Sequence, residues 1–294
     1  MPTRPFSPPR APAAQIMRTA LLTALALLAF AGNSLLCRLA LAGAHTDPAS
    51  FTAIRLVAGA MVLALLVRRR GKRLLGGGSW LAATALFVYA AGFSFAYVGL
   101  STATGALLLF GAVQISMTGA GLWHGDRLAR WQVAGLLGAL VGLLLLLLPG
   151  LSSPAPLNAA LMIAAGVAWS VYSLRGRGAG DPTAATAGNF LRAAPMGLLL
   201  LALAPPSRFD RTGVACALLS GALTSGLGYV IWYKALRGLR PVTAATVQLS
   251  VPVLATIGGM VFLAEPFTTR ILLSSAAILG GMALVILARP SPPS

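Results

Sequence analysis

Tyr233-Lys234-Ala235-Leu236 leads through Val247-Gln248-Leu249-Ser250-Val251-Pro252 to Ala264-Glu265-Pro266, and the stretch has an earlier echo. Tyr97-Val98-Gly99-Leu100 answers its start, Val113-Gln114-Ile115-Ser116 answers its middle, and Asp126 answers Glu265 where the apolar run ends. A second pair of signals recurs outside this window, since Asp47-Pro48 and Asp181-Pro182 each precede an apolar run. Equivalent copies should do equivalent structural work, so the chain reads as two related halves.

The halves belong in lipid. Of 294 residues, 57% are hydrophobic and 9% charged, too little polar surface to coat a soluble globule. A membrane core of about 30 Å takes about 20 apolar residues per helix, and ten runs approach that length. They are rich in Leu and Ala and lack the alternation of a membrane β-barrel, so each closes its backbone hydrogen bonds as a helix. The expected fold is an all-α integral membrane protein: ten transmembrane helices as two inverted five-helix repeats around a central cavity.

The predicted organisation is a disordered tail over 1–15, held out of a helix by Pro2, Pro5, Pro8, Pro9 and Pro12. A first repeat over 16–148, a linker over 149–156, a second repeat over 157–287 and a tail over 288–294 follow. Ala29-Phe30-Ala31 in the first span has the look of a cleavage site, but the partner span at 157–174 is no signal peptide, and cleavage would leave unequal halves.

A formal charge of +17 raises the question of nucleic acid. The basic residues are not gathered as a binding face; they alternate from loop to loop, led by the run Arg68, Arg69, Arg70, Lys72, Arg73. Sixteen Lys and Arg fall on the side of that run and four on the other, which predicts cytoplasmic termini. With five spans per half, the halves enter the membrane in opposite senses. Cys37 and Cys216 have no metal-ligand spacing and read as small hydrophobes. His45 and His124 are isolated near span ends, so no catalytic residues, metal or cofactors are expected.

The ten runs, the five-plus-five plan, Ala168-Trp169-Ser170-Val171-Tyr172 in the sixth span and Leu249-Ser250-Val251-Pro252 before Ala264-Glu265-Pro266 resemble the drug/metabolite transporter superfamily, in its EamA-type branch. Val113-Gln114-Ile115-Ser116 closing on His124-Gly125-Asp126 is similar to the amino-acid exporters of that branch. The resemblance spans 16–287 and implies a substrate cavity lined by spans 1, 3, 4, 6, 8 and 9, with alternating access. Two positions depart from it: Gly32-Asn33-Ser34 stands where such proteins often keep Trp, and Thr118 stands where the second copy has Pro252.

Inverted-repeat transporters bind cargo near the midplane, so polar or aromatic mid-span residues are the candidates. Gln114 and Gln248 are mid-span and repeated, with interhelical hydrogen bonding as the competing role. Trp169 and Tyr172, with Tyr89 and Phe93, form aromatic pairs at helical spacing that suit a cavity wall or simple packing. Asn33 and Ser34 suit contact with a substrate amine, if they face inward, or helix packing. Thr104 and Thr243 sit at helix N-termini, where a substrate carboxylate or ordinary capping would use the free N–H groups.

Arg192 is read as deep, with Asn189 or an anionic group as its partner. Arg55 lies about six residues into its span and is read as snorkelling outward. Tyr229, Trp232 and Tyr233, beside Lys234, read as an interfacial belt. All five acids fall in loops or at span ends, which favours neutral or zwitterionic cargo over lipophilic cations. The expected function is outward transport of amino acids, aromatic or other neutral, with a small-molecule substrate and the bilayer as partners, no nucleic acid, and a monomeric working unit. The runner-up is broad drug or metabolite efflux, or sugar-nucleotide exchange; a channel or structural protein is a further alternative.

Overall fold

A computed structural model describes residues 13–125, 128–147, 155–205, 210–266 and 268–288. The tail before residue 13, the expected linker up to residue 154, the tail beyond residue 288, Asp126 and Arg208 lie outside the described residues. Among the described residues all regular structure is helical. The helices are α1 (Ala13–Ala42), α2 (Pro48–Arg69), α3 (Trp80–Tyr97), α4 (Thr102–Trp123), α5 (Arg130–Leu147), α6 (Pro156–Arg177) and α7 (Pro182–Leu203). An eighth span, Arg211–Leu236, is α8 (Arg211–Leu219), a π-helical segment (Ser220–Leu227) and α9 (Gly228–Leu236). The ninth, Pro241–Leu263, is α10 (Pro241–Gln248) and α11 (Val251–Leu263), and α12 (Thr269–Leu287) is the tenth. The first helix begins three residues before the 16 at which the first repeat is predicted to start.

Local chemistry sets several of these boundaries. Asp47 Oδ1 accepts hydrogen bonds from the backbone N–H groups of Ala49 and Ser50, while Asp181 Oδ1 accepts from Thr183 and Ala184. Pro48 and Pro182 then occupy a first-turn position that needs no N–H partner. Pro252 has the opposite effect inside the ninth span: lacking an N–H, it cannot bond back to Gln248, and the helix breaks between Gln248 and Val251.

Packing repeats between the halves. Spans 5 and 10 pack on each other, as do spans 2 and 7; spans 3 and 4 pack on span 6, while spans 8 and 9 pack on span 1. Span 3 also meets span 7, and span 8 meets span 2. Adding or subtracting five converts this set into itself, as a pseudo-twofold between oppositely inserted halves requires. Spans 5 and 10 touch through backbone: a Cβ on Gly135 would stand 2.4 Å from the oxygen of Gly281. Gly138 and Gly280 make no such close approach. Large apolar side chains such as Met61, Leu199, Leu203, Val261 and Phe262 face outward, where acyl chains replace water.

Candidate functional site

The middle of the bundle is built from rings. Phe30 of α1 lies edge-on to Trp169 of α6 at 5.2 Å between centroids and to Trp232 of α9 at 5.5 Å. Trp169 meets Tyr229 at 4.7 Å, Tyr89 at 5.0 Å and Tyr172 at 5.5 Å, and Tyr89 meets Phe93 at 5.4 Å. Such edge and offset geometries suit the ring quadrupoles and knit spans 1, 3, 6 and 8 together. The tyrosine hydroxyls and the indole N–H groups give this apolar block a polar lining.

Asn33 and Arg55 organise that lining. Asn33 Oδ1 accepts from the hydroxyls of Ser220 at 2.6 Å, Thr224 at 3.3 Å and Ser225 at 3.5 Å, and its Nδ2 donates to the Tyr89 hydroxyl at 3.3 Å. Arg55 is 1% exposed. Its Nε donates to Ser225 Oγ at 3.0 Å, and its Nη2 donates to the hydroxyls of Tyr229 at 2.7 Å and Tyr89 at 3.2 Å. The guanidinium carbon also lies 5.1 Å from the Tyr89 ring centre and 5.3 Å from that of Phe93.

This placement depends on glycine. A Cβ on Gly221 would fall 2.2 Å from the carbonyl oxygen of Arg55, so only glycine lets the π-helical segment rest directly on α2 there. π-helical turns are rare and concentrate at functional sites. Here the widened turn carries Ser220, Thr224 and Ser225, the three hydroxyls that Asn33 gathers.

On the other flank, Trp169 Nε1 donates to Gln248 Oε1 at 2.7 Å, and Gln248 Nε2 donates to the carbonyl of Ala244 at 2.9 Å. Gln248 thus joins the ring cluster at the end of α10, where the ninth span breaks. Gln114, its counterpart, donates only to Thr118 of its own helix, and its Oε1 is buried without a partner. Ser34 is buried beside Tyr97, outside the ring cluster. Tyr89, Phe93, Trp169, Tyr172, Asn33 and Gln248 therefore come together, whereas Gln114, Ser34, Thr104, Thr243 and Arg192 do not join them.

Several expectations are corrected. Arg55 does not snorkel: its partners are inside the bundle. Arg192 is the shallower arginine; its Nη1 donates to the carbonyls of Gly77 and Gly188, both at 2.9 Å, and Asn189 accepts from the backbone N–H of Ser79. Tyr229, Trp232 and Tyr233 form no belt, being 0%, 0% and 1% exposed. Trp232 donates to Ser173, and Tyr233 donates to the carbonyl of Tyr172.

The Thr104 N–H is capped by Ser101, and the same helix end already holds a carboxylate, that of Glu265. Glu265 accepts from Thr102 N–H at 2.9 Å and from its hydroxyl at 3.0 Å, with Arg38 Nε 3.4 Å away. Glu265, placed by sequence in a loop, is thus the anion that the start of α4 attracts. Thr243 lines a mainly apolar groove of about 640 Å³ between α1 and the ninth span, with Thr23, Leu27 and Val247. No three His, Cys, Asp or Glu side chains converge as metal ligands would, among the described residues.

Two buried polar groups were visible in sequence and set aside: Arg55 as a charge within an apolar run, and Tyr229 as an aromatic in the eighth span. The Ser220, Thr224, Ser225 set carried no signal, because the π turn changes which positions share a face.

A Pseudomonas aeruginosa relative, the uncharacterized protein PA1977, is 56% identical over 274 residues, 92% of this chain and 96% of the relative. A solved crystal structure with 22% identity shares the fold at a TM-score of 0.72, covering 92% of this chain and 97% of that one. The EamA-like transporter family matches residues 157–287, which is the sixth to tenth spans. That match and the all-helical, multi-span fold agree, and the chain belongs to the EamA-like transporter family.

Proposed function

We propose that this membrane transporter carries amino acids, aromatic or other neutral ones, outward across the cytoplasmic membrane by alternating access, with both termini cytoplasmic and a single chain as the working unit. The observation that carries the reading is the cluster itself. Apolar rings from spans 1, 3, 6 and 8 pack together, the Asn33 amide donates to the Tyr89 hydroxyl at their edge, the Gln248 amide meets Trp169 at their flank, and a buried guanidinium adds a positive charge. Rings suit an apolar side chain, and the polar groups suit a zwitterionic head.

The breaks in spans 8 and 9 fall beside these residues, as discontinuous helices do around transporter sites. A single buried arginine is less than the basic cavity a sugar nucleotide would need. Broad efflux draws support from the groove beside Thr243, whose walls are mainly apolar. Counterflow in proteoliposomes separates the readings: internal L-phenylalanine should drive saturable uptake of labelled phenylalanine, tyrosine and tryptophan. Exchange of lipophilic drugs with no exchange of amino acids would sink the amino-acid reading.

A further inference from the structure

We propose that Arg55 is the subsite for a carboxylate on the cargo, which names the chemistry of the site just proposed and rests on its being the transport site. Among the described residues the ion pairs are Arg38 with Glu265, His45 with Asp210 and Lys72 with Asp181, and none includes Arg55. Arg55 nevertheless stays charged, because guanidinium does not lose its proton in proteins. Its neighbours are tyrosine and serine hydroxyls, which solvate the charge without neutralising it. Nη1 is fully buried and has no hydrogen-bond partner.

A bundle that buries a cation in this way retains an unfilled preference for an anion. A cargo carboxylate meets it with charge-assisted hydrogen bonds to Nη1 and, when Tyr89 yields its 3.2 Å contact, to Nη2. The π-helical segment, which holds Ser225 and leads into Tyr229 of α9, is the element whose rearrangement would admit it.

The same geometry ranks the two ends of an amino acid. No carboxylate is among the partners of the ring cluster in the described residues, so a substrate ammonium has only neutral acceptors, chiefly Asn33 Oδ1, which already takes three hydroxyl donors. The carboxylate is therefore indispensable and the amine is not. Small aromatic or branched monocarboxylates belong to the substrate range.

Binding is measured on the full-length wild-type protein in detergent, by thermal unfolding and tryptophan fluorescence, with L-phenylalanine, 3-phenylpropionate and L-phenylalaninamide. The two carboxylates should bind about 10- to 100-fold more tightly than the amide, the range expected for a hydrogen-bonded charge. Arg55→Met should abolish that ratio and Arg55→Lys should keep part of it. The wild-type ratio needs no mutant to fold. If the amide binds as well as the acid, or Arg55→Met keeps the preference, the Arg55 assignment is overturned while amino-acid transport can stand. If 3-phenylpropionate and 3-methylbutyrate bind but no amino acid does, the carboxylate subsite stands and the amino-acid reading falls. If chloride alone stabilises the protein and no carboxylate adds to it, the guanidinium holds an inorganic anion and the assignment is overturned.

Discussion

The Tyr229 hydroxyl accepts a 2.7 Å hydrogen bond from Arg55 Nη2, joining α2 in the first half to α9 in the second. The same hydroxyl donates to Tyr89 at 3.2 Å, so one oxygen both solvates the buried cation and orients the neighbouring ring. Contacts between oppositely inserted halves are the ones that alternating access has to rearrange.

Removing that oxygen leaves a buried charge short of an acceptor. Tyr229→Phe should therefore destabilise the protein by about 1.5–3 kcal/mol, the range for hydrogen bonds to charged groups. Tyr233→Phe removes a neutral bond to the Tyr172 carbonyl and should cost about 1 kcal/mol. Thermal unfolding of both variants in one detergent should rank Tyr229→Phe as the less stable. The reverse order would mean that other donors and acceptors make up for the lost hydroxyl.

Trp169 and Gln248 make a contact within the second half, joining the sixth span to the ninth at 2.7 Å. Either Trp169→Phe or Gln248→Leu leaves a buried polar group unmatched, at about 1–3 kcal/mol each. The double variant strands neither partner, so it should be about 1–2 kcal/mol more stable than the sum of the single losses predicts. Strict additivity in a double-mutant cycle would show that the bond contributes nothing to the folded state.

Glycine positions differ sharply in what they tolerate. Gly221→Ala puts a methyl 2.2 Å from the Arg55 carbonyl oxygen, a backbone atom that cannot step aside, whereas Gly280→Ala meets nothing within 4 Å. Gly221→Ala should lower the yield of monodisperse protein severalfold, and Gly280→Ala should leave it unchanged. Fluorescence-detected size exclusion reads both. Equal yields would show that spans 2 and 8 can separate at this crossing without loss.

The ten spans and the Asp-Pro starts of α2 and α7 are legible in the chain because hydropathy and capping are local. The aromatic pairs in α3 and α6 are legible for a related reason: spacings of three and four fix a shared helix face wherever that face points. Arg55 was misjudged because counting residues from a helix end gives depth, not direction. Its direction is set by Ser225 and Tyr229, 170 and 174 residues away, and by a glycine crossing that hydropathy does not register. Tyr229 and Trp232 were drawn toward the interface by nearby Lys234, but their hydroxyl and indole N–H find partners inside the bundle. Glu265 lies at a span end as the sequence implies, but its partner is not legible there, since a loop acid meets another helix's N-terminus only in three dimensions.

The native cysteines permit a direct test of orientation. Cys37 is 0% and Cys216 5% exposed, so membrane-impermeant maleimide should leave both unlabelled in intact cells. Arg69→Cys and Gly180→Cys should share one side, because Arg70 Nη1 donates to Thr183 Oγ1 at 2.9 Å and thereby brings their loops together. Arg211→Cys should react from outside and the other two only after permeabilisation. The opposite pattern would place the basic loops outside and reverse the assigned direction of insertion.

Lys72 pairs with Asp181 on the face of the basic run, bridging the loop after α2 to the start of α7. The Lys72 hydrogen bond, assisted by the backbone N–H groups of Ala184 and Thr183, holds the Asp181 carboxyl below its ordinary value of 3.8, against a smaller opposing effect of burial. A carboxylate with a lowered folded value contributes its stability in full above the ordinary value and loses it as pH falls through the lowered one. The pair is partly solvated, so its worth is about 0.2–1 kcal/mol and shrinks with salt. Asp181→Asn should thus be slightly less stable than wild type at pH 7, with the gap closing as pH falls below the ordinary value of 3.8 and through the lowered one. A gap that persists unchanged in acid would assign the loss to packing, since asparagine caps α7 adequately, and would remove charge from the account of how these two loops are held together.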